Sequence, residues 1–391
     1  ALPISLELHT TTADKHAGPV LGLCLAIDDG TSFDFPFEHR YVGAPVQLAP
    51  AVVWSALSLL GAPSERELVV QDKKRQLVLA SATNAPELSR ALESAKDTLL
   101  GSYLLDPERN HSLAELGHRH GVPVVDADAV HKEGRKKRDF DVVQLDEALP
   151  YAASRARTIL LARDDQESRI DDAGLTRLYD DVELPLASQL AQMEQLGVLI
   201  DVERLRSLGG LCDAELSSLE KEAHQIAGKQ FNVNAPRQLE VLLFDELGLK
   251  PLKRTKTSRS TDAATLEALS EEHALPDVIL KIRQISKLKG TYIDALPALV
   301  RKDTGRVHGA WEQAVAATGR ISSTDPNLQN IPIRSELGRK IREAFVAPPG
   351  YQLVSADYSQ IELRVLAHLS KDARLVEAFQ GDKDVHLRTA M

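Results

Sequence analysis

The spacing of apolar residues changes twice along this chain, and those changes limit what it can fold into. Up to about residue 165, short β-like runs such as Val20–Ile27 and 67–70 alternate with helical stretches such as 85–103, the pattern of an α/β domain. From 175 to about 299 apolar residues recur at intervals of three and four, as at Leu186, Leu190, Met193 and Leu196, with Gly197 as a helix stop. Further helices are expected over 205–228, 236–247, 263–270 and 275–299, interrupted by a polar, basic loop at 250–261. Antiparallel helices carrying such a loop would make an arm. After residue 304 strands and turns return, through 306–311 and 322–330. A strand is expected at 352–357 and a helix at 360–369, with Ile361, Val365 and Leu369 on one face. A run beginning Asp384-Val385-His386 opens another helical pattern, so the end at Met391 is expected to interrupt a domain.

A chain of 391 residues is too long for one core, and the two changes divide it into 1–170, 171–300 and 301–391. Apolar runs such as 159–162 and 295–300 fall far short of the ~20 residues that cross a bilayer, and no basic stretch followed by an apolar block opens the chain. A soluble protein with no membrane partner is expected. Cys24 and Cys212 are too few and too distant for a disulfide framework or a clustered zinc site, which fits a reducing compartment, the cytoplasm by default. The formal net charge of -10 speaks against nucleic-acid binding by the whole surface. Between 250 and 302, however, basic residues such as Lys253, Arg254, Lys256, Arg259, Lys287 and Lys289 outnumber the acids. The excess is either a local positive face or solvated surface.

The sharpest local signal is Ser355-Ala356-Asp357-Tyr358-Ser359-Gln360-Ile361-Glu362-Leu363-Arg364. An acid between a strand and a helix is held on rigid elements, which suits a metal ligand, and magnesium prefers such hard oxygen donors. The competing reading makes Asp357 a helix cap and Ser359-x-x-Glu362 a capping box. The residues by themselves leave both open.

As a whole string, Asp-Tyr-Ser-Gln-Ile-Glu-Leu-Arg resembles the first catalytic motif of family A DNA polymerases, the family of the Klenow-like large fragment of bacterial polymerase I. Upstream, Ala317-Thr318-Gly319-Arg320-Ile321-Ser322-Ser323-Thr324-Asp325-Pro326-Asn327-Leu328-Gln329-Asn330-Ile331-Pro332 is similar to another signature of that family. Leu196-Gly197-Val198-Leu199-Ile200-Asp201, Phe231-Asn232-Val233-Asn234 and Lys287-Leu288-Lys289-Gly290-Thr291-Tyr292 resemble the segments that enter and build its thumb. The resemblance is close from 175 to 391 and loose before that. It implies a multidomain α/β and α fold: an N-terminal ribonuclease-H-like domain of the 3′-5′ exonuclease type, a helical thumb, and the start of the polymerase palm.

The function implied is DNA-templated DNA synthesis, with Asp357 as a ligand of two magnesium ions and the Tyr358 carbonyl helping to hold one of them. Tyr358, Ser359, Gln360, Ile361 and Glu362 would meet the incoming deoxynucleoside triphosphate, Glu362 against its sugar, where a 2′-hydroxyl would clash. Arg320 would lie in the minor groove at the primer end, where acceptors sit alike in all base pairs. Gln329 and Asn330 would lie nearby and Arg334 toward the template. Asn232, Asn234, Lys253, Arg254, Lys256, Arg259, Lys287 and Lys289 would follow the duplex backbone of primer-template DNA without reading bases. Phosphoryl transfer by two metals needs more than one carboxylate. The fingers helix and the His-Asp-Glu segment of the family would therefore come from a C-terminal remainder, and the isolated chain is expected not to polymerise. The location implied is the bacterial cytoplasm, at the nucleoid. The alternatives are a non-catalytic duplex-binding module and a 3′-5′ exonuclease working from the first domain.

The resemblance also implies that this exonuclease has degenerated. Ile4-Ser5-Leu6-Glu7-Leu8 stands where the active family has Asp-x-Glu, Asp97-Thr98-Leu99-Leu100 matches a later acidic segment, and Tyr151-Ala152-Ala153-Ser154-Arg155 stands for Tyr-x-x-x-Asp. Glu7 and Asp97 survive, Ser5 and Arg155 replace aspartates, and the middle motif falls on Gln71 and Arg75. The two remaining acids are expected to pair with Arg155 or Arg75.

Overall fold

The computed structural model describes residues 2–10, 19–28, 30–57, 66–83, 85–125, 130, 132–133, 136–251, 253 and 258–380. Arg254, Lys256 and the run at 384–386 lie outside them. The chain divides into two compact units, Ala1–Phe345 and Val346–Met391.

The first unit begins with a mixed sheet of β1 (Leu2–Thr10), β2 (Val20–Ile27), β3 (Ser32–Pro36), β4 (Arg66–Val70) and β5 (Lys96–Asp97), in the order β3-β2-β1-β4-β5. β1 pairs antiparallel with β2 and β2 with β3, whereas β4 lies parallel to β1 and β5 parallel to β4. Parallel neighbours need a crossover, and the helices Lys73–Ser81 and Pro86–Glu93 supply the one from β4 to β5. Alternation along β1 sorts its residues by face. Leu6 and Leu8 pack into a core with Trp54, Leu77, Leu88 and Leu92. Ser5 and Glu7 face the long helix Leu145–Asp172, whose Ala152 and Ala156 let it lie close on Cys24 and Ala26.

The single helical stretch expected over 85–103 is instead two helices, Pro86–Glu93 and Thr98–Leu105, separated by β5. The register explains the break: Lys96 and Asp97 extend to pair with Val69 and Val70, and Asp97 then caps the second helix by accepting from the Leu99 amide.

The helix Leu184–Leu196 ends at Gly197, whose φ of 63° favours glycine and where a Cβ would stand 2.8 Å from the Val307 carbonyl oxygen. Asp201 caps the helix Val202–Ala227, which packs along Ala274–Leu288. Leu205, Leu208 and Cys212 share one core with Ile285, Leu288 and Tyr292, and Ala223 shares another with Leu239, Leu243, Leu266 and Ile279. Leu216 and Leu219 touch both cores, so the helix pair is packed along its length. The expected helix over 236–247 is Pro236–Val241 continued by a π-helical turn, Leu242–Glu246, and that over 275–299 is likewise interrupted by a π-helical turn, Lys289–Ile293. The strand expected over 306–311 is confined to Ala310–Glu312, which pairs antiparallel with Ser322–Thr324, while Val307 only bridges Val198 and Val300.

In the second unit the helices are Ile361–Ser370 and Ala373–Gln380, joined by Arg364 stacking 4.7 Å over the Phe379 ring. The strand expected at 352–357 is not formed: the stretch is exposed, and it makes no ladder among the described residues. Extended backbone becomes a strand only when its amides and carbonyls pair with a neighbour. Among the described residues no helix is long and apolar enough to cross a membrane.

Candidate functional site

Asp357 lies in the exposed stretch that leads into the helix Ile361–Ser370. The residue at the helix entry is Gln360, in the left-handed region at φ 53°, and no side chain caps the helix there. The capping roles that compete for Asp357 and Ser359 are therefore not taken up. The Asp357 carboxylate makes no hydrogen bond or ion pair among the described residues, and Tyr358 beside it is exposed. Glu362 sits in the first helical turn, a favourable place for an acid. A carboxylate and an adjacent peptide carbonyl are hard oxygen donors of the kind magnesium takes, so the donor chemistry fits. Among the described residues no three His, Cys, Asp or Glu side chains gather as a metal site.

Arg320 is exposed at the end of the loop 313–321, between the paired strands Ala310–Glu312 and Ser322–Thr324. Gln329 is engaged at both ends of its carboxamide: Nε2 donates to the Ile321 carbonyl at 2.7 Å, and Oε1 accepts from the Ser323 amide at 3.1 Å. It thus pins the second strand. Asn330 and Arg334 are exposed on the turn-rich segment that follows, and the Arg334 guanidinium has no partner among the described residues.

The basic positions of the helical region divide by what already holds them. The Arg259 guanidinium meets both oxygens of Asp245, donates through Nε to Glu240 at 2.9 Å, and stacks on Phe244 at 5.2 Å. Lys289 pairs with Asp294 at 2.8 Å and Asp213 at 3.3 Å. Lys253 lies 3.5 Å from Asp262. Lys287 is exposed and has no ion pair among the described residues. Asn232 and Asn234 are exposed within one turn, the Asn232 Oδ1 accepting from the Asn234 amide at 2.8 Å.

In the first sheet the structure brings Glu7, Gln71, Arg75 and Arg155 to the wall of one cleft of about 490 Å³. Glu7 is buried against Arg155, whose Nε and Nη2 both donate to Oε1. Ser5 is fully buried and donates to the Ala156 carbonyl at 2.7 Å. Asp97 has no arginine partner among the described residues. Its Oδ1 accepts from the amides of Asp72 and Leu99, and its Oδ2 from that of Lys73 at 2.8 Å. Burial, helped by the Asp72 charge, pushes its pKa up to about 7 against the pull of those amides.

Sequence reasoning missed Tyr103, Lys74 and Glu194. The Lys74 Nζ donates to Glu194 Oε1 at 2.6 Å, both side chains are buried, and the same oxygen accepts from the Trp311 amide at 2.7 Å. The Tyr103 hydroxyl donates to the Ala316 carbonyl at 2.6 Å. These contacts join residues far apart in sequence, and no spacing rule marks them.

The model of the family described as DNA polymerase family A matches residues 202–391. DNA polymerase I of Pseudomonas aeruginosa is 40% identical over 392 residues, covering 99% of this chain and 43% of the relative. For DNA polymerase I of Bacillus subtilis the figures are 44% over 395 residues, 100% of this chain and 42% of the relative. The thermostable DNA polymerase I of Thermus thermophilus is 54% identical over 215 residues, 54% of this chain and 26% of the relative. The chain thus spans less than half the length of these curated relatives. Among solved structures, the POL domain of Pol1 from M. smegmatis, in complex with DNA primer-template and dNTP, superposes with a TM-score of 0.79 and 32% identity over 99% of this chain and 62% of that one. Over residues 202–391 the chain belongs to DNA polymerase family A.

Proposed function

We propose that the chain is part of an enzyme that adds deoxynucleotides to a primer 3′ end on a DNA template. The observation that carries this reading is the Asp357 carboxylate: exposed, unpaired among the described residues, and not used to cap the adjacent helix. A charge with no structural task, inside a string that matches the family's first motif, is best explained by a ligand. Asp357 and the Tyr358 carbonyl would hold magnesium, which neutralises charge on the transferring phosphoryl group. Glu362 would test the sugar, Ser359, Gln360 and Ile361 would line the nucleotide, and Arg320, Asn330 and Arg334 would meet DNA. Lys287, Lys253, whose 3.5 Å contact with Asp262 is long and exposed, and Arg254 and Lys256 next to it in sequence are the groups best suited to duplex phosphates, because Arg259 and Lys289 are held closely by two carboxylates each.

In this reading 1–170 is a ribonuclease-H-like fold of the exonuclease type without its activity, 171–300 the connector and thumb, and 301–391 the start of the palm. The strand order with one antiparallel and one parallel half supports the first assignment, and the Glu7–Arg155 pair supports the loss of activity. The apolar side chains of Leu353, Val354, Val365 and Leu369 are exposed in the second unit. They are suited to burial by the remainder of a family A polymerase, which would also supply the second carboxylate and the fingers. Primer extension tests this: the chain by itself should bind primer-template without extending it, and joined to such a remainder it should extend. Extension by the chain alone, or none after joining, would overturn the reading.

A further inference from the structure

The loop 313–321, which carries Arg320, is fastened at successive points to the first 196 residues. At its start the Trp311 amide donates to Glu194, whose carboxylate is fixed in turn by buried Lys74. Gln313 is buried and donates through Nε2 to the Glu183 carboxylate at 2.8 Å. Ala314 forms part of the wall of the cleft that holds Glu7 and Arg155. The Ala316 carbonyl then accepts twice, from the Tyr103 hydroxyl at 2.6 Å and from the Gly319 amide at 3.1 Å. The second bond closes a turn in which Gly319 has φ 78°, and Arg320 is the next residue. Tyr103 is itself fixed, buried and edge-on to His111 with ring centroids 5.8 Å apart. On the far side Gln329 holds Ile321.

We infer that Tyr103 is a positioning residue: its hydroxyl locks the turn that presents Arg320, which gives the first 196 residues a part in holding this loop. The inference rests on the proposed contact of Arg320 with the primer end. A nine-residue surface loop left to itself would sample many backbone conformations, and an arginine at its end would meet the minor groove with no fixed direction. The anchors restrict that sampling before DNA arrives. The two strands alone fix only the ends of the loop; Tyr103 fixes its middle.

The test is Tyr103→Phe in the complete polymerase, which removes one hydroxyl and keeps the ring against His111. Loss of this hydrogen bond should speed hydrogen exchange at the Gly319 amide by about fivefold in the absence of DNA, with little change in the melting temperature. Primer-template affinity should fall by a similar factor or less. In an Arg320→Ala background the same substitution should cost no further affinity, because the two act as a unit. Unchanged exchange at Gly319 would overturn the inference whatever happens to DNA binding, and so would fully additive losses in the double variant. Normal binding by Arg320→Ala alone would overturn the assignment of Arg320, and with it the positioning role, even with the exchange difference intact. The exchange measurement therefore separates failure of the brace from failure of the DNA contact.

Discussion

Arg155 lies across Glu7, with Nε 3.0 Å from Oε1 and the guanidinium 5.2 Å from the Tyr151 ring centre. The pair is largely buried, with side-chain exposures of 18% and 5%. A cation thus occupies the surroundings of the one acid on β1 that a metal would need, and the second acid, Asp97, is spent on three backbone amides.

With magnesium or manganese and a mismatched, end-labelled primer, the protein should leave the 3′ end intact. Metal-dependent shortening that Glu7→Ala abolishes would show that the cleft is catalytic after all. Arg155→Ala should also lower stability in denaturant unfolding by about 3 kcal/mol, since it strands Glu7 as an unpaired buried charge. A change below about 1 kcal/mol would mean that water or another cation replaces the arginine.

Asp97 gives the first unit a pH dependence of definite sign. Its folded pKa of about 7 lies above the ordinary carboxylate value, so the folded state binds the extra proton between about pH 4 and pH 7. The stability it contributes is present below that window and is lost as pH rises through it. Compared with Asp97→Asn in urea unfolding, the wild-type protein should be better off at pH 5 than at pH 7.5 by on the order of 2 kcal/mol. An equal difference at both pH values would mean that Asp97 titrates normally.

The DNA contacts proposed for the basic loop and the ion pairs of Arg259 make separable predictions. Replacing Lys253, Arg254 and Lys256 by Ala should weaken primer-template binding and flatten its salt dependence. The flattening should reach up to about 0.9 log units per log unit of salt for each phosphate that is no longer neutralised. Arg259→Ala should instead lower the melting temperature, because its guanidinium ties together Asp245, Glu240 and Phe244. If Arg259→Ala changes the salt slope and not the melting temperature, the two roles are reversed.

What could be read in the sequence follows from the range of the interactions concerned. The helices around Leu190, Leu205 and Ile279 and the stop at Gly197 depend on local periodicity and on one backbone dihedral, and both are written in adjacent residues. β5 was hidden inside a helical stretch because Lys96 and Asp97 become a strand only by pairing with Val69 and Val70. The expectation of a strand over 352–357 rested on apolar pattern alone, and pattern cannot supply a neighbouring strand. At the candidate site the strings around Arg320 and Asp357 were visible; of the expected pairing of Glu7 and Asp97 with Arg155 or Arg75, only Glu7 with Arg155 formed, and Asp97 is held by backbone amides instead. The carboxylates that hold Arg259 and Lys289 were not, nor was the bond from Tyr103 to Ala316, which spans more than half the chain.

Glu362 follows Asp357 closely in the same motif and carries a separable prediction. Glu362→Ala in the complete polymerase should raise incorporation of ribonucleotides relative to deoxyribonucleotides in single-nucleotide extension. An unchanged ratio would leave Glu362 a role in its own helix and not in sugar selection.

The most direct measurement is single-turnover incorporation of one correct deoxynucleotide by the complete polymerase carrying Asp357→Asn. Removing the ligand's charge while keeping its shape should lower the rate by about a thousandfold or more and leave primer-template affinity close to normal, because the missing interaction acts on the transition state. Near-normal incorporation by that variant would contradict the assignment of Asp357 as the metal-binding carboxylate.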